Sequence, residues 1–257
     1  MSPRFEWEAS NGERSRCLNA MANVAVLEAA ARETTELLLQ NACFRRYAPG
    51  EVLYREGEPA TAVFFLVDGV LRIFQTSARG VEYSPKIFRA TCHLGDLPML
   101  AGFPDYRSSV AALTPAIAAA VPAALVEERL RLDHALCFDW LRLMARKHAM
   151  TMDSDRQSVF GGLMARVANV LLSYADVFGQ PGRRVITIDH PLSYQRLAEQ
   201  VGCTRRGAIN AMQTLVERGA AQTGSDGWAI EEQLLRESLT PGRLGVAYTD
   251  RRDPDES

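Results

Sequence analysis

The stretch Leu192–Ala220, LSYQRLAEQVGCTRRGAINAMQTLVERGA, restricts this chain more than any other. Leu197, Ala198 and Val201 recur at helical spacing behind Ser193, a residue type that caps helix N-termini. Gly202 follows where that helix must stop, because glycine accepts a positive φ without steric cost. Thr204 then caps a second helix, with Ala208, Ile209, Met212 and Leu215 facing inward, and Gly219 ends it. A short helix, a glycine turn and a longer helix make a helix-turn-helix.

The outer side of the second helix carries Thr204, Arg205, Arg206, Asn210 and Gln213. A recognition helix presents such positions to base edges in the major groove. There arginine can donate two bonds to guanine, and asparagine can pair with adenine. Alone, the pattern also fits an ordinary solvated helical hairpin, and the flanks favour the DNA reading. Val185–Ile188 reads as a strand. Ala220–Thr223 and Trp228–Ile230 read as a β-hairpin around Gly224-Ser-Asp-Gly227. A helical hairpin with such a wing is a winged helix.

Charge is informative only locally. The whole chain has a formal net charge of −2. Between Leu163 and Thr223, however, seven arginines stand against four carboxylates, and Arg205 and Arg206 open the second helix. A length of 257 residues suits one or two domains with a sizeable core. No stretch reaches the roughly 18 apolar residues of a membrane helix. The N-terminus lacks the apolar core of a signal peptide, so a cytoplasmic protein without membrane association is expected. Cys17, Cys43, Cys92, Cys137 and Cys203 are scattered, which argues for reduced thiols and against an iron–sulfur cluster or other metal centre. Cys92-His93 and His148 are of the type that ligates haem, but a lone histidine is more often structural.

Residues 1–18 are polar and read as disordered, and Ala22–Leu39 as one or two short helices. From Phe44 the pattern turns to short strands with regular turns at Pro49-Gly50, Glu56-Gly-Glu-Pro59, Asp68-Gly69 and Arg79-Gly80, as in a β-roll. Gly95–Leu100 reads as a helical turn, Asp105–Val110 leads into a strand, and Ile117–Val121 is another. Glu127–Phe160 reads as one long helix. Along it Leu141, Ala145, His148, Met152, Asp155 and Val159 alternate in steps of four and three, with Met144 beside them. That seam suits a parallel pair between two subunits. Gly161-Gly162 interrupts it as a hinge, and Leu163–Phe178 begins the second domain. The expected segments are therefore a partly disordered 1–33, a roll at 34–126, a dimerisation helix at 127–160, a winged helix-turn-helix at 161–235 and a tail at 236–257.

These elements and their order resemble the bacterial regulators of the cyclic-AMP receptor protein and FNR (Crp/Fnr) family. The likeness covers about residues 34–235 and is carried by YAPGEVLYREGEPA, FFLVDGVLRIF, MARKHAMTMDSDRQSVFGGLMARVANVLL and VGCTRRGAINAMQTLVERG. It implies an α+β fold: a cyclic-nucleotide-binding-like β-roll, a long dimerisation helix and a winged helix-turn-helix. It further implies a homodimer that binds double-stranded DNA at a near-palindrome, and contact with RNA polymerase if it activates. The alternatives are a cyclic-nucleotide-binding signalling module without DNA function, or a regulator that depends on cyclic AMP. No catalytic motif points to an enzyme.

Two departures from the family stand out. Members reading the best-known operator carry Arg-Glu at the start of the recognition helix and an Arg four residues after the Glu. Here those positions are Arg205, Arg206 and Asn210. Cyclic-AMP binders in the family use a Glu for the ribose, an Arg-Ser pair for the phosphate and a Thr-Ser pair for the base. The corresponding residues are Asp96, Arg107, Ser108, Thr151 and Met152. A cyclic nucleotide is thus the candidate effector, with DNA binding expected not to require it strictly.

Overall fold

The computed structural model describes residues 3–77, 82–181, 185–188, 190, 192–223 and 227–239. The turn residues Arg79-Gly80 and Gly224–Asp226, the side chains of Asp155 and Val159, and the tail beyond 239 lie outside the described set. The chain forms two compact units. Among the described residues, the first holds those up to Ile73 with Phe88–Arg146, and the second holds Phe74–Ile87 with those from Lys147 to Leu239.

The first unit opens with order where the polar sequence suggests none. Strand β1 (Arg4–Phe5) pairs in parallel with β2 (Cys43–Tyr47). Helix α1 (Asn11–Ala22) follows, with the Ser10 hydroxyl accepting from the Glu13 amide at 3.3 Å. Its mean hydropathy is low, yet it buries Cys17 and Met21, and those few apolar contacts with the Ser10 cap hold it. A 3-10 turn at Ala25–Leu27 and helix α2 (Arg32–Gln40) complete the N-terminal layer.

The roll consists of two sheets. After β2 come β3 (Val52–Tyr54), β4 (Ala62–Asp68), β5 (Val70–Thr76), β6 (Glu82–Arg89), β7 (Cys92–Leu94), helix α3 (Asp96–Ala101), β8 (Ser109–Ala112) and β9 (Ala116–Pro122). One sheet runs β1-β2-β9-β4-β7 and the other β3-β8-β5-β6. The Asp68-Gly69 signal is a real turn, but it carries the chain from one sheet to the other instead of closing a hairpin. Gly69 has φ +87°, and a Cβ there would stand 2.3 Å from the Pro115 carbonyl oxygen, so only glycine fits.

The long helix expected over Glu127–Phe160 is two helices, α4 (Ala123–Leu132) and α5 (His134–Phe160). Asp133 breaks it, with φ −109° and ψ 98°. Its Oδ1 accepts from the Leu136 amide at 3.1 Å and its Oδ2 from the Ala31 amide at 2.7 Å. An aspartate followed by a helix-forming run is an N-cap signal, and it outweighs the uninterrupted helix propensity around it. Burial pushes the Asp133 carboxyl up, but the Leu136 and Ala31 amides and the Thr34 hydroxyl outweigh this and hold it below the usual range. Its cap stabilisation is therefore complete above the ordinary aspartate pKa of ~3.9 and disappears as pH falls through the lower folded value. We expect Asp133→Ala to cost about 1 kcal/mol at neutral pH. Thermal unfolding of both proteins should converge as the pH is lowered past that value.

Candidate nucleic-acid interface and effector region

The second unit contains the C-terminal domain. Helix α6 (Leu163–Phe178) is followed by β10 (Gly179–Pro181), β11 (Ile186–Ile188), α7 (Tyr194–Val201), α8 (Arg205–Glu217), β12 (Ala221–Thr223), β13 (Trp228–Ile230) and α9 (Glu232–Glu237). The small sheet runs β10-β11-β13-β12. Strand β10 begins a stretch that reads as a loop from Gly179 to Arg184. Its glycine and proline carry little strand propensity, and it is recruited by pairing Gly179–Pro181 against β11.

The helical hairpin is fixed by its caps. Ser193 Oγ accepts from the Arg196 amide at 3.2 Å. Gly202 takes φ +67° at the end of α7, and Thr204 Oγ1 accepts from the Gly207 amide at 3.1 Å to start α8. Ala208, Ala211, Met212 and Leu215 are buried, while Ile209 is only partly so. The hairpin is tied to its surroundings by buried polar contacts. Gln200 Nε2 donates to the Tyr174 hydroxyl at 2.7 Å, and Trp228 Nε1 donates to the Leu192 carbonyl at 3.0 Å. Arg166 Nη1 donates to the Val201 carbonyl at 3.1 Å, joining α6 to the end of α7.

These contacts leave one polar face of α8 exposed. Thr204, Arg205, Arg206, Asn210 and Gln213 are all solvent-exposed. Arg206, Asn210 and Gln213 are spaced at i, i+4 and i+7, one stripe of a helix. Arg205 and Arg206 sit in its first turn, where unsatisfied amides and the helix dipole add positive potential. Two guanidinium groups, two carboxamides and a helix N-terminus on one surface can hold phosphate and read base edges.

Of the seam residues of α5 whose side chains are described, all but Met144 are exposed on the single chain. Leu141 is 64% exposed and Met152 60%, with Ala145 and His148 exposed between them and Met144 half-buried. The inward face buries Leu136, Trp140 and Leu143 instead. Phe138, 60% exposed, extends the stripe by one step of three before Leu141. The seam pattern signalled it in the sequence, but the expectation began at Leu141. Helix α5 ends at Phe160, and Gly162 is the extended residue preceding α6, so Gly161 and Gly162 form the connection between two helices.

All five effector candidates are among the described residues. Asp96 is buried, and its Oδ2 accepts from Trp140 Nε1 and lies at hydrogen-bond distance from His93 Nε2. Arg107 is exposed, with its guanidinium carbon 5.3 Å from the Phe103 ring centroid. Ser108 is half-buried. Thr151 donates to the Lys147 carbonyl at 2.8 Å and accepts from Lys86 Nζ. Met152 is exposed and offers no hydroxyl. Asp96, Arg107 and Ser108 belong to the first unit, and Thr151 and Met152 to the second. Asp96 and Thr151 are thus hydrogen-bonded within the protein, and Met152 has no hydroxyl, while the Arg107-Ser108 pair is present.

His93 is fully buried, with its Nε2 on Asp96 and its ring 4.6 Å from that of Trp140. Burial pushes the thiols of Cys17, Cys43 and Cys203 up, away from the reactive thiolate. Among the described residues no cluster of three His, Cys, Asp or Glu side chains is placed to hold a metal ion. No helix of the described residues is long and apolar enough to cross a membrane.

Comparison with known proteins agrees with this architecture. Residues 44–133 match the cyclic nucleotide-binding domain. A global nitrogen regulator from Nostoc sp. is 29% identical over 156 residues, which are 60% of this chain and 70% of that protein. A CRP-like cAMP-activated global transcriptional regulator from Mycobacterium tuberculosis is 24% identical over 170 residues, 66% of this chain and 75% of that protein. Among solved structures, FixK2 from Bradyrhizobium japonicum aligns with a TM-score of 0.66 at 19% identity, over 79% of this chain and 99% of its own. A CRP-family transcriptional regulator from Thermus thermophilus gives a TM-score of 0.63 at 21% identity, over 79% and 99%.

Proposed function

Taking the chain as a regulator of the Crp/Fnr type, we propose that it is a homodimeric transcription factor that reads a near-palindromic operator through α8. The observation that carries this is the exposed row Thr204, Arg205, Arg206, Asn210 and Gln213 on a helix seated by buried Ala208, Ala211, Met212 and Leu215. Two copies related by a two-fold axis would set their recognition helices about 34–36 Å apart, one turn of DNA. Arg205 is the first candidate for a bidentate guanine contact, with Arg206 and Asn210 as further base readers.

The roll is the effector domain of this reading. The relative from Mycobacterium tuberculosis is named as cAMP-activated. In this chain Asp96 and Thr151 are engaged by protein groups, and Met152 replaces a hydroxyl. We therefore assign it DNA binding that does not require cyclic AMP. Contact with RNA polymerase belongs to the proposal only for an activator.

Arg205→Ala should cost about 1–3 kcal/mol on the preferred operator and relax discrimination at one base pair of each half-site. Arg206→Ala distinguishes base reading from phosphate contact. A phosphate contact lowers affinity alike on all sequences and reduces the salt slope by about one. Gel-shift titrations at several salt concentrations measure both. Unchanged affinity and unchanged site preference for Arg205→Ala would remove α8 from the interface.

A further inference from the structure

Asp96 stands where the family's cyclic-AMP binders keep a ribose-binding acid, yet its surroundings are those of a structural joint. It opens α3 directly after Gly95, whose φ of +80° and close approach to β4 fix the backbone: a Cβ on Gly95 would lie 3.1 Å from the Ala62 carbonyl oxygen. The side chain therefore has little freedom. Oδ2 is 3.0 Å from His93 Nε2 on β7 and 3.2 Å from Trp140 Nε1 on α5. All three residues are at most 6% exposed.

The chemistry of the three groups is complementary. An ionised carboxylate only accepts, so His93 presents its Nε2 hydrogen to it. The indole of Trp140 has a single polar hydrogen and can only donate. Bonds to a charged acceptor are the stronger kind, and a buried carboxylate without donors would be costly. The packing reinforces the bonds. The His93 ring lies 4.6 Å from the Trp140 ring, and Phe65 meets Trp140 edge-on at 6.4 Å. Trp140 belongs to the inward face of α5, whose opposite face carries Phe138 and Leu141. One carboxylate oxygen thus joins the roll strand, the short helix and the long helix.

We infer that Asp96, His93 and Trp140 are positioning residues that hold the N-terminal part of α5 against the roll, and that nucleotide-free DNA binding depends on this joint. This rests on the reading of the chain as a DNA-binding dimer. A ribose hydroxyl approaching Asp96 Oδ2 would compete with the indole and the imidazole already on that oxygen. The acid has the position of a ligand group and serves as a helix anchor.

The test uses the full-length protein with Trp140→Phe, Asp96→Leu and Asp96→Asn. Phenylalanine keeps the aromatic packing and removes the donor. Asparagine with its oxygen at the Oδ2 position keeps a neutral acceptor for both the Trp140 and the His93 hydrogens, whereas leucine keeps none. Nucleotide-free titration of an operator selected with the wild type should show at least about tenfold weaker binding for Trp140→Phe and Asp96→Leu. Asp96→Asn should stay within about threefold. An acid kept for ribose predicts no change in nucleotide-free binding for any of them. In 15N-labelled wild type the Trp140 indole hydrogen should exchange slowly with solvent, and in Asp96→Leu it should exchange fast. If Asp96→Leu does not fold, Trp140→Phe decides alone. Wild-type operator affinity in folded Trp140→Phe, or a fast-exchanging Trp140 hydrogen in the wild type, overturns the inference. If the wild type selects no operator, the DNA-binding reading fails, and the exchange measurement still decides the joint.

Discussion

Met152→Glu is expected to dissociate the dimer, shifting its equilibrium by about 3 kcal/mol or more, since each buried charge would lack a partner. That is roughly a hundredfold or more in dissociation constant. Met152 is 60% exposed on the single chain, at the end of the row Phe138, Leu141, Ala145, His148 and Met152. Steps of three and four bring such a row onto the axis of a parallel pair, where each residue faces its own copy. Two carboxylates would then meet in a seam that excludes water. The fold of each chain should be unaffected, because Met152 contributes little burial within it. Sedimentation at micromolar concentration should show monomer at neutral pH. The dimer should partly recover on acidification, since protonation removes both charges. A dimer as tight as the wild type's at neutral pH would place the interface elsewhere.

Met212→Ala should destabilise the C-terminal domain by about 2–5 kcal/mol. Met212 is fully buried beneath α8, with Ala208, Ala211 and Leu215 beside it. Truncation leaves a cavity where the recognition helix rests, so thermal stability and operator binding should fall together. Gln213, the next residue, points to solvent. Gln213→Ala should stay within about 0.5 kcal/mol in stability while altering DNA affinity. Adjacent residues on opposite faces of one helix thereby separate folding from recognition, and calorimetry beside gel-shift titration reads the two effects.

The winged hairpin was legible because its determinants are local. Ser193, Gly202 and Thr204 act within three or four residues of themselves, and each has the cap or turn geometry that its chemistry favours. Strands and turns of the roll were legible for the same reason, as at Gly50 and Gly69 with their positive φ. Sheet membership was not, because β4 and β5 are neighbours in sequence and belong to different sheets. The N-terminal helix was hidden by polar composition, since only Cys17 and Met21 are buried on it. The break at Asp133 is concealed by the helix-favouring residues around it, although its own side chain is a capping type. The joint at Asp96 could not be read at all. His93 and Asp96 are three apart, but Trp140 is 44 residues further on, and only the tertiary fold brings its indole to the carboxylate.

The central claim is that α8 reads a two-fold operator without a nucleotide. Selection of bound sequences from a random DNA library, using nucleotide-free protein in parallel with protein supplied with cyclic AMP, tests it most directly. We expect the same near-palindrome from both arms, with half-sites one helical turn apart, and with preference at one position per half-site relaxed in Arg205→Ala. Enrichment only in the presence of cyclic AMP would contradict nucleotide independence, and no enriched sequence in either arm would contradict the DNA-reading function itself.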